Sequence, residues 1–175
     1  MKPILTEQQI KLTVKRLAHQ IHENHLHLKD TVILGIQPRG VFLSDRIVDA
    51  LKLLVNTATI QYGKLDITFY RDDIRKQLHV PNTTLLPFSI ENKNVILIDD
   101  VLYKGRTTRA ALNALLDYGR PAKVELCVLI DRRFSREFPI QPDYCGEAID
   151  TFESQKVKVN WFENDGKECV ELLNS

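Results

Sequence analysis

The sequence predicts an α/β fold with a mostly parallel, doubly wound sheet and helices on both faces. Three observations carry this expectation. Short β-branched runs alternate with amphipathic stretches of helical period. The runs TVILGI (31–36), NVILIDDV (94–101) and KVELCVLIDR (123–132) are rich enough in apolar residues for strands covered on both faces. The stretches between them have the 12 to 15 residues of helix that crossovers between parallel strands use.

Along the chain, TEQQIKLTVKRLAHQIHEN (6–24) predicts a helix with Thr6 as N-cap and an apolar stripe of Ile10, Val14, Leu17 and Ile21. His19, His22, His25 and His27 are read as a polar helix face fraying into a loop, rather than as metal ligands. TVILGI runs through QPRG into a second helix over 41–54, whose Val41, Ile47, Val48, Leu51 and Leu54 point inward. NTATIQYGKLDITFY (56–70) reads as strands broken at Gly63, and RDDIRKQLHVPNTTLLP (71–87) as a mobile loop or hairpin. NVILIDDV is a strand, TTRAALNALLDYG (107–119) a helix closed by Gly119, and KVELCVLIDR a strand. FSREFPIQPDYCGEAIDTFE (134–153) reads as irregular, and VKVNWF (157–162) as the last strand, with Trp161 and Phe162 in the core.

A chain of 175 residues with 43% hydrophobic and 27% charged side chains is expected to be one globular domain, 1–175. Apolar runs of about five residues are far short of the ~20 of a membrane span, so no membrane partner is expected. The start MKPILTEQQIKLTVKR lacks a signal-peptide core, which makes the cytoplasm the expected location. Cys127, Cys145 and Cys169 show no metal or disulfide spacing, and Cys127 reads as core. The overall charge of +1 divides into +2 over 1–30, +4 over 31–142 and −5 over 143–175. A mildly basic body suits an anionic ligand, and RNA equally.

In a doubly wound sheet, ligands bind beyond the carboxyl ends of the strands, which singles out QPRG and DDVLYKGRTT. Asp99 and Asp100 end an apolar run. The loop after them has Gly105 for close backbone approach, Arg106 as a cation, and Thr107 and Thr108 at a helix N-terminus where an anion is favoured. The GxxxxGK[ST] pattern is absent, and here the acids precede the cradle. Two carboxylates beside a phosphate cradle repel phosphate unless they bind something else. A sugar diol, which offers two donors to acceptor-only carboxylates, satisfies them. The pattern asks for a sugar phosphate.

VILIDDVLYKGRT resembles the phosphoribosyl-pyrophosphate (PRPP) motif of type I phosphoribosyltransferases. GIQPRGVFLS, LDITFYRDD, DDVLYKGRTTRAALNALLDYGRPAKVELCVLIDR and PIQPDYCG resemble more closely the PyrR type, pyrimidine-operon attenuation regulators that are also uracil phosphoribosyltransferases. The likeness spans roughly residues 5 to 160. It implies the type I phosphoribosyltransferase fold with a small hood segment, about 131–156, and a mobile loop, about 71–86. It implies condensation of uracil with PRPP to give UMP and pyrophosphate, with Mg²⁺ bridged by substrate.

The resemblance assigns the ribose hydroxyls to Asp99 and Asp100. It assigns the 5′-phosphate to the loop of Val101, Leu102, Tyr103, Lys104, Gly105, Arg106 and Thr107. Pro38, Arg39 and Gly40 match the pyrophosphate loop, with Arg39 meeting the departing charge, and Arg71 opens the closing loop. Asp131, Arg132 and Arg133 match the hood over the base. Lys104 stands where the family has threonine, Pro38 removes a backbone donor, and 131–137 replaces a shorter segment with glycine and histidine. PyrR-type proteins also bind an mRNA leader stem-loop, for which Lys15, Arg16, His19 and Arg136 are the candidates alongside Arg132 and Arg133, and they assemble as homodimers or higher homo-oligomers. Three functional readings stand: a uracil-using enzyme, a nucleotide-sensing RNA-binding attenuator with little activity, and a phosphoribosyltransferase for another base.

Overall fold

The computed structural model describes residues 2–26, 28–55, 60–71 and 84–174. Strand β1 (Lys2–Leu5) leads into helix α1 (Glu7–Asn24), which Thr6 caps as expected. The Thr6 hydroxyl accepts the Gln9 amide while the Gln9 side chain accepts the Thr6 amide, a reciprocal capping box. There follow β2 (Thr31–Ile36), α2 (Gly40–Leu54), β3 (Gln61–Leu65), β4 (Asn94–Leu102), α3 (Arg106–Leu115) and β5 (Lys123–Arg133). The chain ends with β6 (Tyr144–Asp150), β7 (Gln155–Asn160), the one-turn α4 (Phe162–Asp165) and β8 (Cys169–Asn174).

Five strands form a parallel sheet in the order β3-β2-β4-β5-β6. Its two faces carry separate cores. Ile96 and Ile98 of β4 pack with α1 and α2, while Val95 and Leu97 pack with α3. This alternation along a central strand is why the run reads as continuously apolar. After β2 the chain turns outward to β3 and then crosses back to β4, so β2 and β4 are the neighbours at which the winding reverses. The loops leaving their carboxyl ends, 37–39 and 103–105, flank the crevice that the sheet geometry opens there.

Several expectations need correction. Gly63 does not break a strand; it lies inside β3, and a Cβ there would meet Leu85 O at 2.5 Å. The glycine admits the returning chain, whose Leu85 exchanges backbone hydrogen bonds with Lys64 at 2.9 and 3.0 Å. The segment 134–153 is not irregular throughout: Tyr144–Asp150 is the fifth strand of the main sheet. As an edge strand with three exposed residues it lacks the apolar run that betrays a central one. The expected hood interval, 131–156, is accordingly shared between the ends of β5, β6 and the start of β7. The second sheet has the order β1-β8-β7 and is antiparallel, built largely from the two chain ends. Four residues, KPIL, carry no period by which β1 could be read. The expected mobile loop falls, over 72–83, outside the described residues, as does His27.

Trp161 and Cys127 are buried as expected, but Phe162 is exposed. The histidine cluster also divides. His25 is no fraying surface residue: its Nε2 lies 2.6 Å from Glu125 Oε2, and its Nδ1 3.1 Å from the Thr31 hydroxyl. Tyr144 and Lys123 also donate to the Glu125 carboxylate. Burial pushes the Glu125 carboxyl up, yet its donors Lys123, His25 and Tyr144 together hold it below the ordinary glutamate range. A carboxyl held down in the folded state contributes stability above its ordinary pKa and loses it as pH falls through the lowered value. Glu125→Gln is expected to lower the melting temperature at pH 7 and to flatten its decline with acid. His25→Ala, which leaves a buried charge short of a donor, is expected to cost about 1–3 kcal/mol in denaturant titration.

Candidate active site

Strand β4 delivers Asp99 and Asp100 to the crevice, each only 8% exposed. The fit of α2 against them depends on Gly40. A Cβ at this position would lie 2.4 Å from Ile98 O and 3.0 Å from Asp99 Cα, so only glycine lets the first turn of α2 approach the strand end. That approach brings Arg39 to the acids: its Nε donates to Asp100 Oδ2 at 3.1 Å. Arg39 also donates to the Val159 carbonyl and lies 3.7 Å from Asp165, tying the main sheet to the second one. Pro38, which precedes it, follows a cis peptide bond.

Both acids are raised above the ordinary aspartate range. Burial drives Asp99 well up, the neighbouring Asp100 charge adds to it, and the Asp100 amide, which donates to Asp99 Oδ1 at 2.9 Å, together with Arg71 opposes. Burial also raises Asp100, against which Arg39 acts. Ionised, these buried carboxyls are acceptors that hydrogen-bond donors would stabilise.

Beyond Asp100 the chain forms a cleft of about 310 Å³ lined by Arg71, residues 101–107 and Thr108. Gly105 has φ +88° and sits at the N-cap of α3, whose first amides have no acceptor within the helix. All the residues expected to hold a 5′-phosphate therefore line one cleft, and Arg71, distant in sequence, faces the same space. Asp72 and Asp73 lie outside the described residues.

The carbonyls of this loop are turned to protein partners. Tyr103 O accepts from Arg136 Nη1 at 2.5 Å, Lys104 O from the Glu137 amide at 3.0 Å, and Gly105 O from the Arg109 amide at 2.9 Å. Of the Arg136-Glu137 pair that serves two of them, Arg136 is expected from the sequence as an RNA-facing cation and Glu137 is not singled out. Its only signal in the sequence was its place in a segment that departs from the family pattern.

Other candidates lie elsewhere or are occupied. Arg136 does not present a free basic surface: it donates to Tyr103 O, Arg132 O, Ile140 O and the Asp131 carboxylate. Asp131 is buried as its counter-ion. Arg132 is also buried, stacked 3.7 Å over the Tyr103 ring and donating to Thr151 and Gln155. Arg133 pairs with Asp150 at the surface, beside Phe134, which is 87% exposed. On α1, Lys15 and His19 are exposed, whereas Arg16 donates to the Cys145 and Gly146 carbonyls of β6. Among the described residues no cluster of three His, Cys, Asp or Glu is placed to hold a metal ion, and no helix is long and apolar enough to cross a membrane.

A carboxyl raised by burial favours its protonated form in the folded state, so above its folded pKa the ionised group opposes folding, and the penalty shrinks as pH falls. Asp99→Asn is therefore expected to raise the melting temperature at pH 8, with a smaller gain at pH 5. Scanning calorimetry at both pH values checks the sign. Gly40→Ala, which drives a methyl into the Ile98 carbonyl, is expected to destabilise by about 1–3 kcal/mol in denaturant titration.

The sequence model of the phosphoribosyl transferase domain matches residues 1–164. The chain is 47% identical over 171 residues to the "Bifunctional protein PyrR" of a Picosynechococcus strain, covering 97% of this chain and 96% of that protein. It is also 47% identical over 170 residues to the protein of the same name from Desulfosudis oleivorans, covering 96% and 93%. Among solved structures it resembles a hypoxanthine phosphoribosyltransferase from Staphylococcus aureus, with a TM-score of 0.74, 20% identity, and coverage of 99% and 91%. Another is a hypoxanthine-guanine phosphoribosyltransferase from Bacillus anthracis, with a TM-score of 0.70, 18% identity, and coverage of 97% and 96%. At such identity the structures speak to the fold, whereas the near full-length relatives carry the closer kinship: the chain belongs to the phosphoribosyltransferase family, in its PyrR group.

Proposed function

We propose that this protein transfers the phosphoribosyl group of PRPP to uracil, giving UMP and pyrophosphate. The observation that carries the reading is the convergence of Asp99, Asp100, Arg39, Arg71 and the loop 101–108 on one crevice at the carboxyl ends of adjacent strands. The base follows the resemblance of GIQPRGVFLS, LDITFYRDD and PIQPDYCG to the PyrR type, with hypoxanthine or guanine as the competing assignment.

In this reading Asp99 and Asp100 accept hydrogen bonds from the ribose hydroxyls, and loop 101–107 with the N-terminus of α3 seats the 5′-phosphate. The C1–O bond to pyrophosphate breaks as the C1–N bond to the base forms, and the base gives up its N–H proton. Positive charge grows on the sugar and negative charge on the leaving group. The protein therefore contributes positioning and electrostatic stabilisation rather than a covalent partner. Arg39, more than a third exposed at the crevice, is assigned to the departing pyrophosphate, and Arg71, which lines the cleft of residues 101–108, opens the segment that closes over the substrate. The raised carboxyls fit this role, because hydroxyl donors and nearby positive charge stabilise their ionised form on binding. Their oxygens are also hard donors, compatible with Mg²⁺ carried in on PRPP, which would supply neutralising charge at pyrophosphate.

A second activity, recognition of an mRNA leader stem-loop, rests on the exposed Lys15 and His19 of α1 and on the word bifunctional in the relatives' name. Arg16 and Arg136 contribute least to it, since both are engaged with backbone carbonyls. We place this activity in a homodimer or larger assembly, whose pooled basic surface would supply the clustered cations that phosphate contacts need.

Turnover with PRPP, Mg²⁺ and a panel of free bases is expected to show uracil preferred. Activity confined to hypoxanthine or guanine would overturn the base assignment. Asp100→Asn is expected to lower turnover at least tenfold while leaving the circular-dichroism spectrum unchanged. Filter-binding titration with a pyrimidine leader RNA is expected to reach micromolar affinity and to respond to UMP.

A further inference from the structure

Lys104 and Arg106 both line the phosphate cleft, and both are held by one carboxylate that does not line it. Glu137 Oε1 lies 2.8 Å from Lys104 Nζ. Arg106 donates to the same group in bidentate fashion, Nε to Oε2 at 2.6 Å and Nη2 to Oε1 at 3.1 Å. The Glu137 backbone is fixed as well, its amide donating to Lys104 O at 3.0 Å, so the carboxylate belongs to the loop's own scaffold.

Resting on the site reading above, we infer that Glu137 is a resident counter-anion of the phosphate loop. It holds the two rim cations in place while the loop is empty, and it sets how tightly the loop binds a 5′-phosphate. Two cations in a short loop repel each other, and a shared carboxylate removes that repulsion. It also offsets one of the two positive charges that Lys104 and Arg106 bring to the rim. An incoming dianion must compete with Glu137 for the same ammonium and guanidinium groups. Arg106 and Lys104 together hold the Glu137 carboxyl below its ordinary range, which favours the ionised form of the competitor.

Lys104 thus acquires a role that its position alone did not reveal. It adds a second cation to the loop and, through Glu137, is half neutralised there. Glu137 is a positioning residue, acting on ligand only through Lys104 and Arg106. The consequence for function is moderate affinity: a nucleotide product bound by two unopposed cations would leave slowly.

The test is calorimetric titration of the full-length protein with UMP and with uridine, beside Glu137→Gln and Glu137→Asp. Glu137→Gln is expected to bind UMP about three- to fivefold tighter, as loss of a partly exposed opposing charge implies. Its affinity for uridine, which lacks the phosphate, should not change, and Glu137→Asp should restore the wild-type value. In turnover, KM for PRPP should fall in Glu137→Gln without a rise in kcat. A merely structural Glu137 would instead give weaker UMP binding and a lower melting temperature in Glu137→Gln. Either that result, or an equal change for UMP and uridine, overturns the inference while leaving the site assignment standing. If the wild-type protein binds UMP with no competition from PRPP, both fall together.

Discussion

A backbone loop that receives an anion must present its amides to the ligand, which obliges it to turn its carbonyls away. Carbonyls turned away need partners, because an unpaired acceptor beside a buried site is costly. Here Tyr103, Lys104 and Gly105 find them in Arg136, the Glu137 amide and the Arg109 amide. Two of those three partners come from the segment after β5. The loop is thus held by a segment remote in sequence, which is itself anchored by Arg136 to Asp131, Arg132 and Ile140. The loop's shape therefore depends on this clasp as well as on Gly105 within it.

The second constraint is electrostatic. Burying Asp99 and Asp100 side by side works against folding, and the protein tolerates it with the guanidiniums of Arg39 and Arg71 and a close helix approach. Gly40 permits that approach, and Arg39 couples Asp100 to the second sheet through Val159 and Asp165. Stability is ceded where we propose that the chemistry sits, as is common for sites that must bind strongly polar ligands. It is recovered at the other end of the sheet, where His25, Thr31, Tyr144 and Glu125 close a satisfied polar network.

Much of the fold was legible because its central strands are covered on both faces. TVILGI, NVILIDDV and KVELCVLIDR match β2, β4 and β5 within about one residue at each end, and Thr6 with Gln9 marks the start of α1. What escaped was what lacks such a signal. Strand β6 is an edge, so its outward positions are polar, and among the described residues β1 pairs with β8, and β8 with β1 and β7. Gly63 read as a break because a strand glycine often is one; its reason is the Leu85 backbone, a contact from 22 residues away.

The site divides in the same way. The sequence by itself determined the acid pair, the glycine turn, the proposed phosphate loop and the cation before α2, because these are local: residue type, order and spacing suggest a chemistry without any neighbour. Tertiary structure alone decided that Arg39 grips Asp100, that Arg71 shares the cleft of residues 101–108, and that Arg136 is a clasp rather than a surface cation. It also decided that Lys104 pairs with the Glu137 carboxylate. Hydrogen bonds and ion pairs act over a few ångströms, and those distances between chain-distant residues exist only once the sheet has brought its strand ends together.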